Sequence, residues 1–438
     1  MSNQSDASDQ STPSSARSLL PNPWIVVALL FVVALINYFD RQSLSVVAPR
    51  FQAELHMSDV GYGHIVSLFL LASAFAYALS GFVSDALGTR KSMALFVGWW
   101  SIAEAATAFI TSTFQLGLTR FCLGLGEPGL WVAAPKAVAE TVEKPKQSLA
   151  IGIYTMGATV GAVVAIPAIA TITSHLPWKS IFLIDGAAGL IWLPIWLFFY
   201  RTKRKPAEEA VPVISQEQRN IEKAHRKAAL HEVLSSSKTW RLLIARGITD
   251  PVWYFYLFWF PKYLLSARHL SLPQLAHIGW EVYFAAGVGT LLGGLLSGWY
   301  IRRGVPPGLA YRRTMLFSAI LVPLSPLASI VHSSTVAVGI ASIIAFAHMA
   351  WLVNLTSTVV ELFPSDQVGR ASGLIAAGSG FGGMISSEII AYFVAHQGYG
   401  PVFLIMAVLH PIALAILWKT FHNRSQSPDL TAPSFQTV

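Results

Sequence analysis

Long apolar runs, separated by short polar connections, make up most of this chain. Each run is about twenty residues or longer, the length that an α-helix needs to cross the hydrocarbon core of a bilayer. The runs lie near 24–48, 62–84, 92–111, 114–139, 148–174, 179–200, 240–265, 274–301, 314–331, 335–362, 371–395 and 400–421. The pattern predicts an all-α membrane protein with twelve transmembrane helices.

The polar segments set the expected domain boundaries. Residues 1–23 are Ser-rich and polar, which predicts a disordered cytoplasmic tail, and residues 422–438 predict a second cytoplasmic tail. The long polar interval 201–239 predicts a cytoplasmic linker that lies on the membrane surface. It separates an N-terminal six-helix bundle at 24–200 from a C-terminal six-helix bundle at 240–421.

A faint internal repeat predicts that the two bundles are pseudo-symmetric. Three glycines of the fifth run recur at the same spacing in the eleventh run: Gly152, Gly157 and Gly161, then Gly373, Gly378 and Gly382. The segment GFVSDALGTRK, at the end of the second run, resembles GLLSGWYIRR, at the end of the eighth. Repeats of this kind predict a binding site between the halves near mid-membrane, and the glycines themselves favour close helix packing.

Composition and charge agree with a membrane protein and indicate its orientation. Hydrophobic residues make up 54% of the chain and charged residues 12%, about half of the charged fraction of soluble domains. The net charge of +8 comes from basic residues in alternate connections, such as 90–91, 144–146 and 302–313. By the positive-inside rule both termini are cytoplasmic, so the basic excess indicates topology and not nucleic-acid binding. The single Cys122 excludes an intrachain disulfide.

Ionisable residues interrupt two of the apolar runs. Asp40 and Arg41 lie in the first run, and Arg120 and Glu127 lie in the fourth. Charged groups at membrane depth are costly, so they usually face a polar cavity and handle ions or solutes. The alternative is a set of mutually neutralising structural pairs, with Arg120 paired to Asp40 or Glu127.

The depths of these residues suggest how they could act on a solute. Counted from the outer helix ends, Arg41 and Arg120 lie at the same depth, roughly 9–10 Å at the usual rise per residue. Two guanidiniums at one depth can clamp a carboxylate, which arginine recognises in a bidentate manner. Glu127 lies deeper, among apolar residues, where a proton and a nearby cation compete for its carboxylate. This competition would couple proton movement to anion binding.

The seventh and tenth runs supply further candidates. Arg246 and Asp250 are spaced to pair along one helix, and Pro251 is expected to interrupt that helix. Rings with polar groups, and amide and hydroxyl side chains, suit a sugar: Trp253, Tyr254, Tyr256, Asn354 and Ser357. The offset between the two glycine triplets relates Glu127 to His348, so His348 is a third proton-coupling candidate. A lone histidine in a packed helix is, however, more often structural.

The segment GFVSDALGTRK predicts a conformational gate at the cytoplasmic end of the second run. Gly81, Asp85, Gly88, Arg90 and Lys91 carry this prediction, because their charges can cap helix ends and pair with another helix. Breaking such contacts would favour one conformational state. The alternative is that the basic residues only anchor the topology.

These residues carry a family resemblance. GFVSDALGTRK resembles the loop motif of the major facilitator superfamily, and NYFDRQSLSVVAP, RFCLGLGEPG and KAVAE resemble its anion:cation symporter branch. TDPVWYFYLFWFPKYL, AHMAWLVNL and VFLIMAVLH are similar to hexuronate transporters. The resemblance runs from about residue 24 to 421. It implies a proton-coupled symporter in the bacterial inner membrane that imports hexuronates such as glucuronate or galacturonate.

The resemblance also assigns roles to residues. It implies that Arg41 binds the carboxylate, that Tyr38 and Asn354 contact the sugar, and that Asp40 and Glu127 carry protons. Arg120 is tied to the two acids. Several residues depart from the family pattern near the expected pocket: Ser73, where a tyrosine is usual, Met349, Leu352 and Val353, which replace polar residues, and Glu388, an additional acid.

Other function classes receive less support. The sequence contains no HExxH metal motif, no nucleophile elbow and no phosphate-binding glycine loop, so an enzyme is not expected. A symporter for an aldonate or aldarate, and a non-transporting sensor of such acids, stay open as alternatives. No cofactor, metal or nucleic acid is implied. The expected partners are the sugar acid, protons and the lipid bilayer, and the protein is expected to be a monomer.

Overall fold

The protein is almost entirely helical in a computed structural model, which describes residues 22–200, 231–364 and 367–422. The helices are α1 (Pro23–Glu54), α2 (Asp59–Thr107), α3 (Thr113–Gly126), α4 (Pro128–Thr141), α5 (Lys144–His175), α6 (Lys179–Phe199), α7 (Ser237–Phe258), α8 (Phe260–Ser266), α9 (Leu272–Ile278), α10 (Glu281–Arg302), α11 (Pro307–Leu321), α12 (Leu327–Ile330), α13 (Ser334–Leu362), α14 (Val368–Gln397) and α15 (Gly400–His422). A 3₁₀ turn, Val322–Leu324, joins α11 to α12. The predicted tails and most of the predicted linker lie outside the described residues.

Nine helical segments within the described ranges are long and apolar enough to cross a membrane, judged by length and composition. The predicted runs at 62–84 and 92–111 fall on the single helix α2, which bends at Gly88, where φ is 72°. The run at 114–139 is divided into α3 and α4, because Pro128 begins a new helix. The run at 240–265 is likewise divided into α7 and α8.

The expected interruption at Pro251 is wrong. Helix α7 continues through Pro251 to Phe258, and the break falls at Trp259, before Pro261 at the start of α8. In a membrane bundle, neighbouring helices and local adjustments satisfy the backbone group that a proline frees, so the helix can continue.

The glycines of the internal repeat make equivalent contacts in the N-terminal half (residues 22–200) and the C-terminal half (residues 231–422). In each half, the second and third glycine of the triplet lie against the backbone of a neighbouring helix and leave no room for a Cβ atom. The contacts are Gly157 with Phe31, Gly161 with Leu35, Gly378 with Leu243, and Gly382 with Gly247. Helix α5 thus packs on α1 as α14 packs on α7, which supports the predicted pseudo-symmetry.

The two halves meet closely at one end of their interface, which we name the Asp59 end. Lys262 is buried there and forms an ion pair with Asp59 of the other half. Its ammonium group also lies 5.5 Å from the ring centres of Tyr62 and Trp259. Helices α2 and α14 continue this contact. Ser67 donates a hydrogen bond to the carbonyl of Met384 (3.1 Å), and Ser387 donates one to that of Gly63 (3.3 Å).

Candidate functional site

A cavity of about 330 Å³ lies between the two halves, a volume within the range of small-molecule sites. Hydroxyl groups from both halves line it: Tyr38, Thr155 and Thr159 from the N-terminal half, and Tyr283, Thr290, Thr356 and Ser357 from the C-terminal half. Trp253 and the apolar Met349, Leu352 and Val353 complete much of the wall. The residues that depart from the family pattern on α13 therefore face the cavity.

Arg41 lies beside this cavity in a buried ion pair with Glu127. Its Nε donates to Oε2 of Glu127 at 2.7 Å, and Glu127 is fully buried while Arg41 keeps 8% of its side chain exposed. The guanidinium also lies 5.4 Å from the ring centre of Tyr38, a cavity residue. Glu127 occupies the junction between α3 and α4, immediately before Pro128. The sequence-predicted residues of the first and fourth runs thus meet directly.

Arg120 lies apart from Arg41 and is enclosed by other partners. Its Nη2 donates to Oε2 of Glu104 and to the hydroxyl of Thr107, each at 2.6 Å. The guanidinium lies 5.2 Å from the ring centre of Phe182, and Arg120 is 1% exposed. Arg120 therefore forms a buried ion pair, as the alternative expected, but its partner is Glu104 and not Asp40 or Glu127.

Asp40 belongs to a buried carboxyl cluster with Glu104 and Asp185. The nearest carboxylate oxygens of these three residues all lie within 4.8 Å of one another. Neither oxygen of Asp40 accepts a hydrogen bond within the described part of the chain, and Asp185 accepts one from Ser43 at 3.4 Å. Of the described histidine, cysteine and acidic residues, this group is the arrangement whose geometry could hold a metal ion.

Glu104 and Asp185 were not singled out from the sequence, although a signal was available. Each is a lone acidic residue inside an apolar run, the third and the sixth, and this was the feature that identified Asp40 and Glu127. Their link to Asp40 depends on helix packing between α1, α2 and α6, which the sequence does not specify.

The histidine of the tenth run lies in an aromatic environment in the C-terminal half. His348 is fully buried, and its Nδ1 lies 3.2 Å from Nε2 of His410. The His348 ring stacks on Trp253 with centres 6.3 Å apart, and Trp351 packs against His410. His348 does not line the cavity, but it stacks on Trp253, which does.

The other candidate substrate residues occupy different positions. Tyr254 shares a hydrogen bond with Ser379 (2.9 Å). Asn354 donates to the carbonyls of Gly293 (3.1 Å) and Ala350 (2.8 Å), and it does not line the cavity. Tyr256 is fully buried and also lies outside the cavity lining. Among these residues, Ser357 and Trp253 face the cavity.

The predicted pair on α7 is confirmed. Nε of Arg246 donates to Oδ2 of Asp250 at 3.1 Å, as the spacing of four residues indicates. Asp250 is 4% exposed, and its Oδ1 has no hydrogen-bond partner among the described residues. The side chain of Arg246 keeps 24% of its surface exposed.

The predicted gate segment lies at the bend of α2. Gly88 adopts the positive φ that glycine tolerates, and Gly81 and Lys91 lie on either side of it in α2. Asp85 forms an ion pair with Lys136 of α4, in which Nζ of Lys136 lies 2.9 Å from Oδ1 of Asp85. Arg90 donates to the carbonyl of Leu197 in α6. The segment thus joins α2 to two other helices of the same half.

Comparisons with known proteins agree with this architecture. The model of the Major Facilitator Superfamily matches residues 30–387. The chain is 25% identical to the hexuronate transporter of Escherichia coli (strain K12) over 407 residues, which cover 92% of this chain and 94% of that protein. It is 28% identical to a probable sulfoacetate transporter of Cupriavidus necator over 420 residues, or 92% of this chain and 95% of that protein.

A solved structure shows the same fold. It is an inward-facing, unoccupied bacterial homolog of the human lysosomal transporter Spinster. The TM-score is 0.71 at 20% identity, and the match covers 93% of this chain and 99% of that structure. The family match spans most of the chain, and the relatives are transporters. The chain therefore belongs to the major facilitator superfamily, as a multi-pass transporter of the inner membrane and not as an enzyme.

Proposed function

We propose that the protein is a proton-coupled symporter that imports sugar acids, with hexuronates such as glucuronate or galacturonate as the leading substrates. The observation that carries this proposal is the buried ion pair of Arg41 and Glu127 beside a cavity that both halves line. The relatives named for hexuronate and sulfoacetate transport support an anionic organic substrate.

The ion pair suggests how a proton is exchanged for an anion. The Nε atom of Arg41 donates its hydrogen bond to Glu127. The terminal nitrogens of Arg41 donate no hydrogen bond within the described ranges. A proton on Glu127 removes the negative charge that competes for this guanidinium. Arg41 can then bind a carboxylate through two parallel hydrogen bonds, with Tyr38 beside it to contact the sugar.

Asp40 is the second proposed proton carrier. It lies against Glu104 and Asp185, and the nearby Arg120 is already paired with Glu104. Like charges this close in a buried site do not all ionise, so the cluster is stable when protons replace part of its negative charge. Proton uptake by this cluster would couple to the packing of α1 against α2 and α6.

Alternating access would arise from rocking of the two halves. In the proposed topology twelve crossings form two six-helix bundles, at 24–200 and 240–421, with both termini in the cytoplasm. The Asp59 end is then the outer end of the interface, and the pair of Lys262 with Asp59 holds it closed. The gate segment at Gly88 lies at the inner end.

Aldonates and aldarates are the alternative substrates, because Met349, Leu352 and Val353 reduce the polarity of the cavity wall. A membrane sensor of such acids is a further alternative. It would bind the same ligands without moving them.

Uptake into proteoliposomes tests the proposal. Radiolabelled glucuronate and galacturonate are supplied with and without an inward proton gradient, with gluconate, galactonate and neutral glucose as competitors. Accumulation that follows the proton gradient and is blocked only by the acids supports the proposal. A parallel sodium gradient is included because the Asp40 cluster could ligate a cation. Accumulation that follows sodium, or binding without uptake in folded protein, would contradict proton symport.

A further inference from the structure

A crevice of about 540 Å³ lies at the surface of the C-terminal half, between α10, α11 and α13. It is separate from the cavity between the halves, because the two have no lining residue in common. Its wall is mainly apolar: Leu292, Leu295, Leu296, Phe317, Phe346 and Ala350. Leu292, Leu295 and Phe317 are exposed, and all three helices belong to segments long and apolar enough to cross a membrane. The crevice therefore opens toward lipid.

The α10 side of the crevice changes from apolar to basic along its length. Leu292, Leu295, Trp299 and Arg302 line it at steps of three or four residues, so they lie along one face of α10. The distance along the helix from Leu292 to Arg302 is about 15 Å, half of the ~30 Å thickness of the hydrocarbon core. The crevice thus has the length of one bilayer leaflet, and its basic end is cytoplasmic in the proposed topology.

Two guanidiniums at the basic end are available to an anion. Nη1 of Arg302 lies 3.5 Å from the position that a Cβ atom of Gly298 would take, so this side chain folds back along α10 toward the apolar wall. The guanidinium of Arg303 lies 4.2 Å from the ring centre of Trp299. Within the described ranges neither guanidinium forms an ion pair or a hydrogen bond.

The surroundings of these guanidiniums carry no compensating negative charge. No acidic residue lines the crevice. The segment 302–313, which joins α10 to α11, contains four arginines and no acidic residue. This end of the crevice therefore matches a negatively charged ligand.

We infer that one anionic phospholipid molecule binds in this crevice, with its phosphate on Arg302 and Arg303 and an acyl chain on the apolar wall. Basic pockets between transmembrane helices on the cytoplasmic side bind acidic lipid headgroups, and the donors of arginine match the oxygens of a phosphate. Trp299 lies between the two parts, as tryptophan does where hydrocarbon meets headgroups. A free phosphate would leave the apolar wall uncovered, which favours a lipid. The inference does not depend on the transported substrate.

Binding of matched lipids to the delipidated, detergent-purified full-length protein tests this inference. Phosphatidylglycerol carries one net negative charge and phosphatidylcholine carries none, and both are supplied with the same acyl chains. Native mass spectrometry gives the apparent dissociation constant of the first bound molecule of each lipid. We expect about tenfold or more tighter binding of phosphatidylglycerol, since each basic residue beside an anionic lipid contributes about 1 kcal/mol.

Substitution of the arginines shows whether the preference arises in the crevice. Arg302→Gln and Arg303→Gln should each weaken phosphatidylglycerol about fivefold and leave phosphatidylcholine nearly unchanged. Arg302→Lys, which keeps the charge, should retain part of the preference. Arg312→Gln is the matched control, because Arg312 also packs over a tryptophan, Trp418 at 4.7 Å, but does not line the crevice. It should leave both affinities unchanged.

Three results would overturn the inference. The first is equal affinity of the wild type for the two lipids. The second is an equal loss in Arg302→Gln and Arg312→Gln, which would assign the preference to the overall surface charge. The third is displacement of phosphatidylglycerol by millimolar inorganic phosphate, which would show that the site takes a free anion. Retained binding of phosphatidylcholine reports that each variant is folded.

Discussion

The two halves of the protein have the same scaffold and different interiors. In the N-terminal half, two glycines bring α5 against the backbone of α1, and in the C-terminal half two glycines bring α14 against the backbone of α7. Phe31 and Leu243 contact equivalent glycines of the two halves, and the same residue offset relates Arg41 to Trp253. The offset between the two glycine triplets relates Glu127 to His348. The buried pair of Arg41 with Glu127 therefore has a ring stack of Trp253 on His348 as its counterpart.

This difference indicates a division of labour between equivalent positions. The N-terminal half buries four carboxyl groups and two guanidiniums in two sets: Glu127 with Arg41, and Asp40, Glu104 and Asp185 with Arg120. At the corresponding depth, the C-terminal half has the imidazole pair of His348 and His410 among tryptophans. Buried ionisable groups in membranes usually serve ion pathways, so we propose that proton coupling resides in the N-terminal half.

The largest expected effect comes from breaking the charged interior itself. Arg120→Ala leaves Glu104 buried without its cation, and loss of one partner of a buried pair typically costs about 3–5 kcal/mol. We expect loss of folded protein, measured by thermal unfolding of the detergent-purified variant. Arg313→Ala, which removes an arginine that lies over Tyr300 away from the cluster, is the control. An unfolding temperature equal to that of the wild type would show that the cluster does not depend on this pair.

A smaller but specific effect is expected at the ligand contact. Arg41→Ala should reduce glucuronate affinity about 100-fold, because truncation of one partner of a buried charged contact costs about 2–5 kcal/mol. The measurement is calorimetric binding to folded, purified protein. Near-normal affinity would remove Arg41 from the binding site and would weaken the assignment of anion binding to this half.

The gate segment should change rates more than binding. Asp85 is 79% exposed in its ion pair with Lys136, and exposed pairs contribute about 0.2–1 kcal/mol. Asp85→Asn should therefore shift the balance between conformations up to about fivefold, with glucuronate affinity little changed. Uptake rates measured beside binding constants test this. Lys136→Gln is the matched variant and should have a similar effect, whereas dissimilar effects would exclude the pair as the cause.

The smallest effect is expected in the C-terminal counterpart of Glu127. His348→Gln keeps hydrogen-bonding capacity beside His410, so proton-driven uptake of glucuronate should change less than about threefold, within the range of one lost hydrogen bond. Complete uncoupling in this variant would contradict the division of labour and would make His348 a proton carrier.

The sequence predicted the all-helical major facilitator fold, because the length of apolar runs and the spacing of glycines are local properties. The count of twelve crossings stays a prediction. The sequence also singled out Arg41 and Glu127 as charges inside apolar runs, but it did not predict that they pair with each other. It did not predict the partner of Arg120, because Glu104 is adjacent only after α2 and α3 pack. The expected break at Pro251 was wrong because the neighbouring helices decide whether a proline interrupts a membrane helix.

Exchange and accumulation in Glu127→Gln proteoliposomes test the central claim most directly. A glutamine stays neutral and keeps the size of the side chain, so Arg41 remains free to bind the anion. We expect glucuronate exchange to persist, while accumulation driven by an inward proton gradient is lost. If proton-driven accumulation is lost in Glu127→Gln and retained in His348→Gln, proton coupling lies in the N-terminal half. Full proton-driven accumulation in Glu127→Gln would contradict the account.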